Sequence, residues 1–207
     1  MDPGSVAAFI QHATEVEPDR LGKDGALAFW INLYNAAAIG LAVEAGRSDT
    51  TSVLRVPGGF QRPVLTISDE TLSLDAIEHA KIRRFSDPRV HAALMCGAVS
   101  CPTLRSEPYA GPALNHQLDD QMQRFLREGG ASADPDSGVL RLSRIFRWFG
   151  GDFTRPSKMP TMLPARPRAV ALALIPWLEA EVAAWVVATR PRVEFLPYDW
   201  ALGCTVA

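Results

Sequence analysis

The stretch Asp87-Pro-Arg-Val-His-Ala-Ala-Leu-Met-Cys-Gly-Ala-Val-Ser-Cys-Pro-Thr-Leu104 decides how the rest of the chain is read. It opens on a turn signal, runs through the apolar segment Val90–Met95, loosens at Gly97 and ends with Cys101 held before Pro102. An apolar run of that length bounded by turn residues is expected to be one buried strand, which puts His91 on the face of Ala93 and Met95. Pro102 biases Cys101 toward extended backbone and itself suits the first position of a helical turn. A thiol at such a helix start feels the partial positive charge of the exposed N–H groups, which favours the thiolate.

Upstream, Asp24-Gly25 opens a run from Ala26 to Val43 that is apolar on all sides and stops at Gly46, so a helix through the middle of the fold is expected. Asn32 and Asn35 share one face of it. Buried carboxamides must find partners, either as ties to neighbouring loops or, for one of them, as the orienter of a catalytic imidazole. Val6–Val16 predicts a short amphipathic helix, and Ser48–Arg62 a loop hinged at Gly58-Gly59. Pro63–Ile67 and Thr71-Leu72 around a Ser-Asp-Glu turn read as a hairpin. Ser73 then caps a helix to about Arg84, with Leu74, Ile77 and Ile82 on one side, Glu78 in their midst and His79 turned away.

Downstream, Ala113–Arg127 is an amphipathic helix whose buried stripe is Leu114, Leu118, Met122 and Phe125. A polar loop leads to a short strand at Val139–Leu142 and to an aromatic segment in which Asp152 follows two glycines. Two helical pieces around Pro176 and a last strand from Arg192 complete the chain. Hairpin-like strands separated by uneven helical runs predict an α+β, helix-rich single domain over residues 1–207, with a small, mostly antiparallel sheet flanked by helices.

With 47% apolar and 21% charged residues over 207 positions, the composition is that of a soluble globular protein. A net charge of −2 argues against a nucleic-acid partner, since neutralising phosphates needs a basic surface. Residues 1–20 do not read as an export signal, and the apolar region near Val170–Val187 is broken by Pro176, Glu179 and Glu181, so no membrane partner is expected. Three cysteines without framework spacing favour a reducing compartment such as the cytoplasm. Gly58-Gly59 alone makes neither a phosphate loop nor a dinucleotide fingerprint, so no cofactor is expected.

Six blocks carry a resemblance: Ala28-Phe-Trp-Ile-Asn-Leu-Tyr-Asn-Ala36, Leu72-Ser-Leu-Asp-Ala-Ile-Glu-His79, Asp87–Leu94, Ser100–Leu104, Leu142-Ser-Arg-Ile-Phe-Arg-Trp-Phe149 with Asp152-Phe153, and Tyr198-Asp-Trp200. In that order they resemble the successive blocks of the domain of unknown function 547 family, over about Ala26–Trp200. The resemblance implies no activity, because the family has none assigned. It does imply that Asn32, Asn35, Glu78, His79, His91, Ser100 and Cys101 occupy the family's polar positions.

Three chemistries fit these residue types. In the first, a cysteine-dependent hydrolase or acyl transferase acts on an amide or ester of a small-molecule or peptide substrate. Cys101 is the nucleophile, His91 the general base, Glu78 the orienter and Asn35 a polar support. Asn32, His79, Ser100 and Asp152 are then binding residues, and N–H groups after Cys101 form the oxyanion hole. In the second, the domain catalyses nothing and holds a protein partner. In the third, Cys96, Cys101, His91 and His79 bind zinc, although the Cys spacing is not the tight pair of a zinc ribbon.

Overall fold

The computed structural model describes residues 3–48, 50–155 and 164–203; the third cysteine, Cys204, lies outside them. The helix-rich α+β class is what the structure has, with a two-stranded and a three-stranded sheet among the described residues. The chain divides into two compact units. Unit 1 takes Met1–Phe85, Ala93–Gln117 and Asp199–Ala207, and unit 2 takes Ser86–Ala92 and Leu118–Tyr198.

Unit 1 is built on α2 (Gly22–Arg47), which buries fourteen of its side chains, from Ala26 to Ala45. By length and apolarity alone α2 passes as a membrane span, yet most of its apolar window is packed inside the unit. A helix with no polar face is stable in water only when it is covered all round, and α1 (Pro3–Ala13) supplies part of the cover. The hairpin expected from sequence forms between β1 (Pro63–Ile67) and β2 (Glu70–Ser73), antiparallel, with Ser68 and Asp69 at positive φ in its turn.

Ser73 caps the helix that follows, its hydroxyl accepting from Ala76 N–H at 3.1 Å. That helix begins as α3 (Leu74–Ala76), widens into a π-helical stretch over Ile77–Ile82 and tightens at Arg83–Phe85. Leu74, Ile77 and Ile82 are fully buried, as their spacing predicts. Replacing the capping hydroxyl, Ser73→Ala, is expected to cost about 1 kcal/mol in urea unfolding; an unchanged midpoint would show that water replaces the cap.

Residues Gly97–Ser100 pair with the C-terminal stretch through the Ala98–Leu202 bridge, Val99 N–H to Ala201 O and Gly203 N–H to Gly97 O. Gly97 sits at φ +85°, and a Cβ there would come within 3.2 Å of both Val53 Cγ1 and Ala42 Cβ, so the position requires glycine.

Unit 2 holds a core of Met122, Phe125, Leu140, Leu142, Phe146 and Leu174. Its sheet runs β3 (Ala131–Asp134), β4 (Val139–Leu142), β5 (Arg192–Phe195). The β3–β4 pair is antiparallel and the β4–β5 pair parallel. β3 was not expected from sequence, since Ala-Ser-Ala-Asp has little strand preference; pairing with β4 makes it a strand.

The strand expected over Val90–Met95 is overturned: Val90–Ala93 is a short helix, α4. Asp87 side chain accepts from Arg89 N–H, and Val90, His91 and Ala92 each bond back three residues, to Asp87, Pro88 and Arg89. Asp87 as a capping side chain followed by Pro88 is a helix-start pattern, and for so short an apolar run it outweighs the strand reading. The helix α5 (Leu114–Phe125) buries Leu114, Leu118, Met122 and Phe125 as expected.

Candidate functional site

Within unit 1, α2 presents Tyr34 and Asn35 side by side, and both are buried. Asn35 grips the segment that leads to Cys101: its amide nitrogen donates to Ala93 O at 2.9 Å, and its oxygen accepts from Met95 N–H at 2.9 Å. Asn32 does the same to another loop, donating to Tyr109 O at 2.8 Å and accepting from Tyr109 N–H at 2.9 Å. Both carboxamides therefore act as loop ties, one of the two roles open to them from sequence.

The segment held by Asn35 turns back on itself around the Cys101 sulfur. Cys96 N–H donates to that sulfur at 2.7 Å, and the thiol donates to Leu94 O at 3.6 Å. Cys101 is half-buried and, like Cys96, is not in a disulfide. The helix start expected at Pro102 is absent: residues 102–105 form no helix, and the next helical turn begins at Gly111. Pro102, the first position after Cys101 counted on for an oxyanion hole, has no N–H, and the N–H of Cys101 itself bonds to Ala98 O at 3.1 Å. The polar surroundings of the sulfur come instead from the backbone at Leu94 and Cys96.

Glu78 projects from the π-helical stretch toward Tyr34, whose hydroxyl donates to its carboxylate. Removal from water is the main reason its pKa rises from 4.5 to about 7; the Arg83 guanidinium pulls it back down, while Asp75 and Cys96 push it up. Tyr34 is raised well above 10.0, first by burial and then by the negative fields of Glu78, Cys96 and Cys101. A carboxyl poised near neutrality, a phenol and two thiols thus share one electrostatic neighbourhood. Arg83 is buried and donates to Nδ1 of the exposed His79 at 3.2 Å, so that nitrogen is an acceptor. Ser100 Oγ accepts from Asp199 N–H at 2.9 Å and so helps to hold the C-terminal stretch.

Unit 2 holds a second polar pair. His91 is buried, stacks on Phe149 with ring centroids 4.0 Å apart, and meets Asp152 through Nε2 and Oδ2 at 2.9 Å. The carboxylate against this ring is therefore that of Asp152, which sequence reasoning placed among binding residues, while Glu78 sits on Tyr34. The segment carrying His91 is tied to α5 as well: Arg89 bridges Asp87 and Asp119, and Gln121 donates to Ala92 O at 3.0 Å.

Tyr34 escaped the sequence reading, although it lies between the two asparagines it was read with. A phenol in a helix that is otherwise apolar all round needs a partner, and that was the available signal. Among the described residues, no three His, Cys, Asp or Glu side chains converge as metal ligands would, so the zinc reading lacks a donor set.

A family model described as a protein of unknown function, DUF547, matches residues 18–126, more than half of the 207-residue chain. The blocks from Ala28 to Leu104 fall inside that match, and those at Leu142–Phe153 and Tyr198–Trp200 lie beyond it. No curated protein and no solved structure matches the chain.

Proposed function

The chain belongs to the DUF547 family, whose function is unknown, and from the geometry around Cys101 we propose that it is a cysteine-dependent hydrolase or acyl transferase acting on an amide or ester, with Cys101 as nucleophile. The observation that carries this reading is the Cys101 sulfur, half-buried, with Cys96 N–H directed at it, and beside a buried phenol, Tyr34, that also feels Glu78, a carboxyl raised to about 7 by burial. A base that titrates near the working pH is the kind that proton transfer favours.

In the proposed reaction the sulfur attacks the carbonyl carbon, the C–S bond forms, and the thiol proton passes to Glu78 and on to the departing amine or alcohol as the C–N or C–O bond breaks. The thioester is then cleaved by water, or by a second amine or alcohol in a transferase, and the proton returns to the sulfur. Asn35 is a positioning residue that holds Ala93–Met95, the segment that leads to the sulfur. Asn32, His79 and Ser100 remain proposed contributors to binding, while Asp152 lies on the His91 ring within unit 2; His91 as general base is the competing assignment.

Alkylation of Cys101, followed by peptide mapping against pH, tests this. The wild-type rate is expected to show a step near pH 7 that is lost in Glu78→Gln and kept in His91→Ala. Loss in His91→Ala alone moves the base to the imidazole. A single transition near 8.5, the ordinary cysteine value, in all three proteins sinks the nucleophile and leaves a module that binds a protein partner.

A further inference from the structure

A cavity of about 250 Å³ lies in unit 1 between α1, α2 and the loop Leu104–Tyr109. Its walls are mostly hydrocarbon: Val6 and Phe9 from α1, Ala36 and Ile39 from α2, and Leu104 and Pro108 from the loop. Asn32 and Asn35 also reach it, but their amides are already engaged with the backbone of Tyr109 and of Ala93 and Met95. The loop wall is pinned by Gln117 too, which donates to Pro108 O at 3.0 Å and accepts from Ala110 N–H at 2.9 Å. At the rim, Arg105 is ion-paired with Glu107, so the rim charges cancel.

We propose that this cavity is a binding subsite for an uncharged apolar group, and that the group is the acyl part of the substrate. Its size sets the class: about 150 Å³ of apolar space is enough for benzene, and drug-sized ligands start at roughly 300 Å³. One phenyl ring or a short aliphatic chain fills it. Its neutral rim selects against a charged head, and its loop wall is held in place by Asn32 and Gln117, which limits the ordering entropy lost on filling it. The link to chemistry is Asn35, which lines the cavity and, with the same amide, holds the segment whose Leu94 and Cys96 contact the Cys101 sulfur. The acyl role rests on the proposed function; the existence of the subsite does not.

Two measurements on the full chain separate them. Toluene and 1-hexanol, titrated into isotope-labelled protein, are expected to bind saturably and shift the methyl resonances of Val6, Ile39 and Leu104. Ala36→Phe, which fills the cavity, should weaken both by at least roughly tenfold, whereas Cys101→Ala should bind as wild type does. Leu104→Trp, on the loop, is the second filling variant should Ala36→Phe fail to fold. Absence of saturable shifts in those methyls, or wild-type affinity in a folded filling variant, overturns the subsite. Acylation of Cys101 by p-nitrophenyl hexanoate is then expected to exceed that by p-nitrophenyl acetate, with the preference lost in the filling variant. Equal rates for the two esters overturn the acyl role. No acylation by either ester counts against the nucleophile and with it the acyl role, while the toluene result still decides the cavity.

Discussion

Asn35→Ala is expected to lower the unfolding free energy by about 2–6 kcal/mol, because it strips both Ala93 O and Met95 N–H of the buried amide that satisfies them. Each buried backbone group left unsatisfied costs about 1–3 kcal/mol, and a single truncation leaves two. The loss should show as a lower urea midpoint at unchanged slope, with faster hydrogen exchange at Met95. Asn35→Asp separates the two bonds: a carboxylate still accepts from Met95 N–H but faces Ala93 O with like polarity, so it should not restore stability. A loss well under about 1 kcal/mol in Asn35→Ala would mean that the Ala93–Cys101 segment is held by something else, and that Asn35 does not position the sulfur.

Glu78→Gln is expected to stabilise the protein, and only on one side of neutrality. Burial lifts the carboxyl from 4.5 to about 7, so the unfolded chain ionises Glu78 while the folded chain still holds the proton. The contribution to stability is whole below about pH 4.5, is lost as pH rises toward 7, and stays lost above it. A displacement of that size corresponds to about 3 kcal/mol. Glutamine keeps an oxygen for the Tyr34 hydroxyl and cannot ionise, so the variant should match the wild type near pH 4 and exceed it by up to about 3 kcal/mol above pH 8. Parallel stability curves for the two proteins across that range would show that the folded carboxyl titrates normally. Under the proposed function this same variant loses the pH 7 step in Cys101 alkylation, a trade of activity for stability that buried acid–base groups commonly show.

Much of unit 1 was legible because its elements are dictated locally. A helix apolar on all sides has one way to be stable in water, and the Ser-Asp-Glu turn and the Ser73 cap act through neighbours no more than a few residues away. The errors came where local signals were balanced. Val90–Met95 is too short for periodicity to tell strand from helix, and the hydrogen bonds from Asp87 and Pro88 tip it to helix. That change removes the side-chain alternation on which the strand placement of His91 relied. At Cys101, the helix read into Pro102 never forms; the chain instead turns at Ala98, and the sulfur is met by the backbone at Cys96 and Leu94.

By itself the sequence determined which helix would be central and which family the chain belongs to. These follow from composition and short-range pattern, which chain connectivity preserves. Only the tertiary structure decided who meets whom: Tyr34 with Glu78, His91 with Asp152 sixty-one residues away, and Asn35 with Ala93 and Met95. Such pairs are set by how helices and loops pack to bury apolar surface, and nothing in the spacing of two distant residues records that packing.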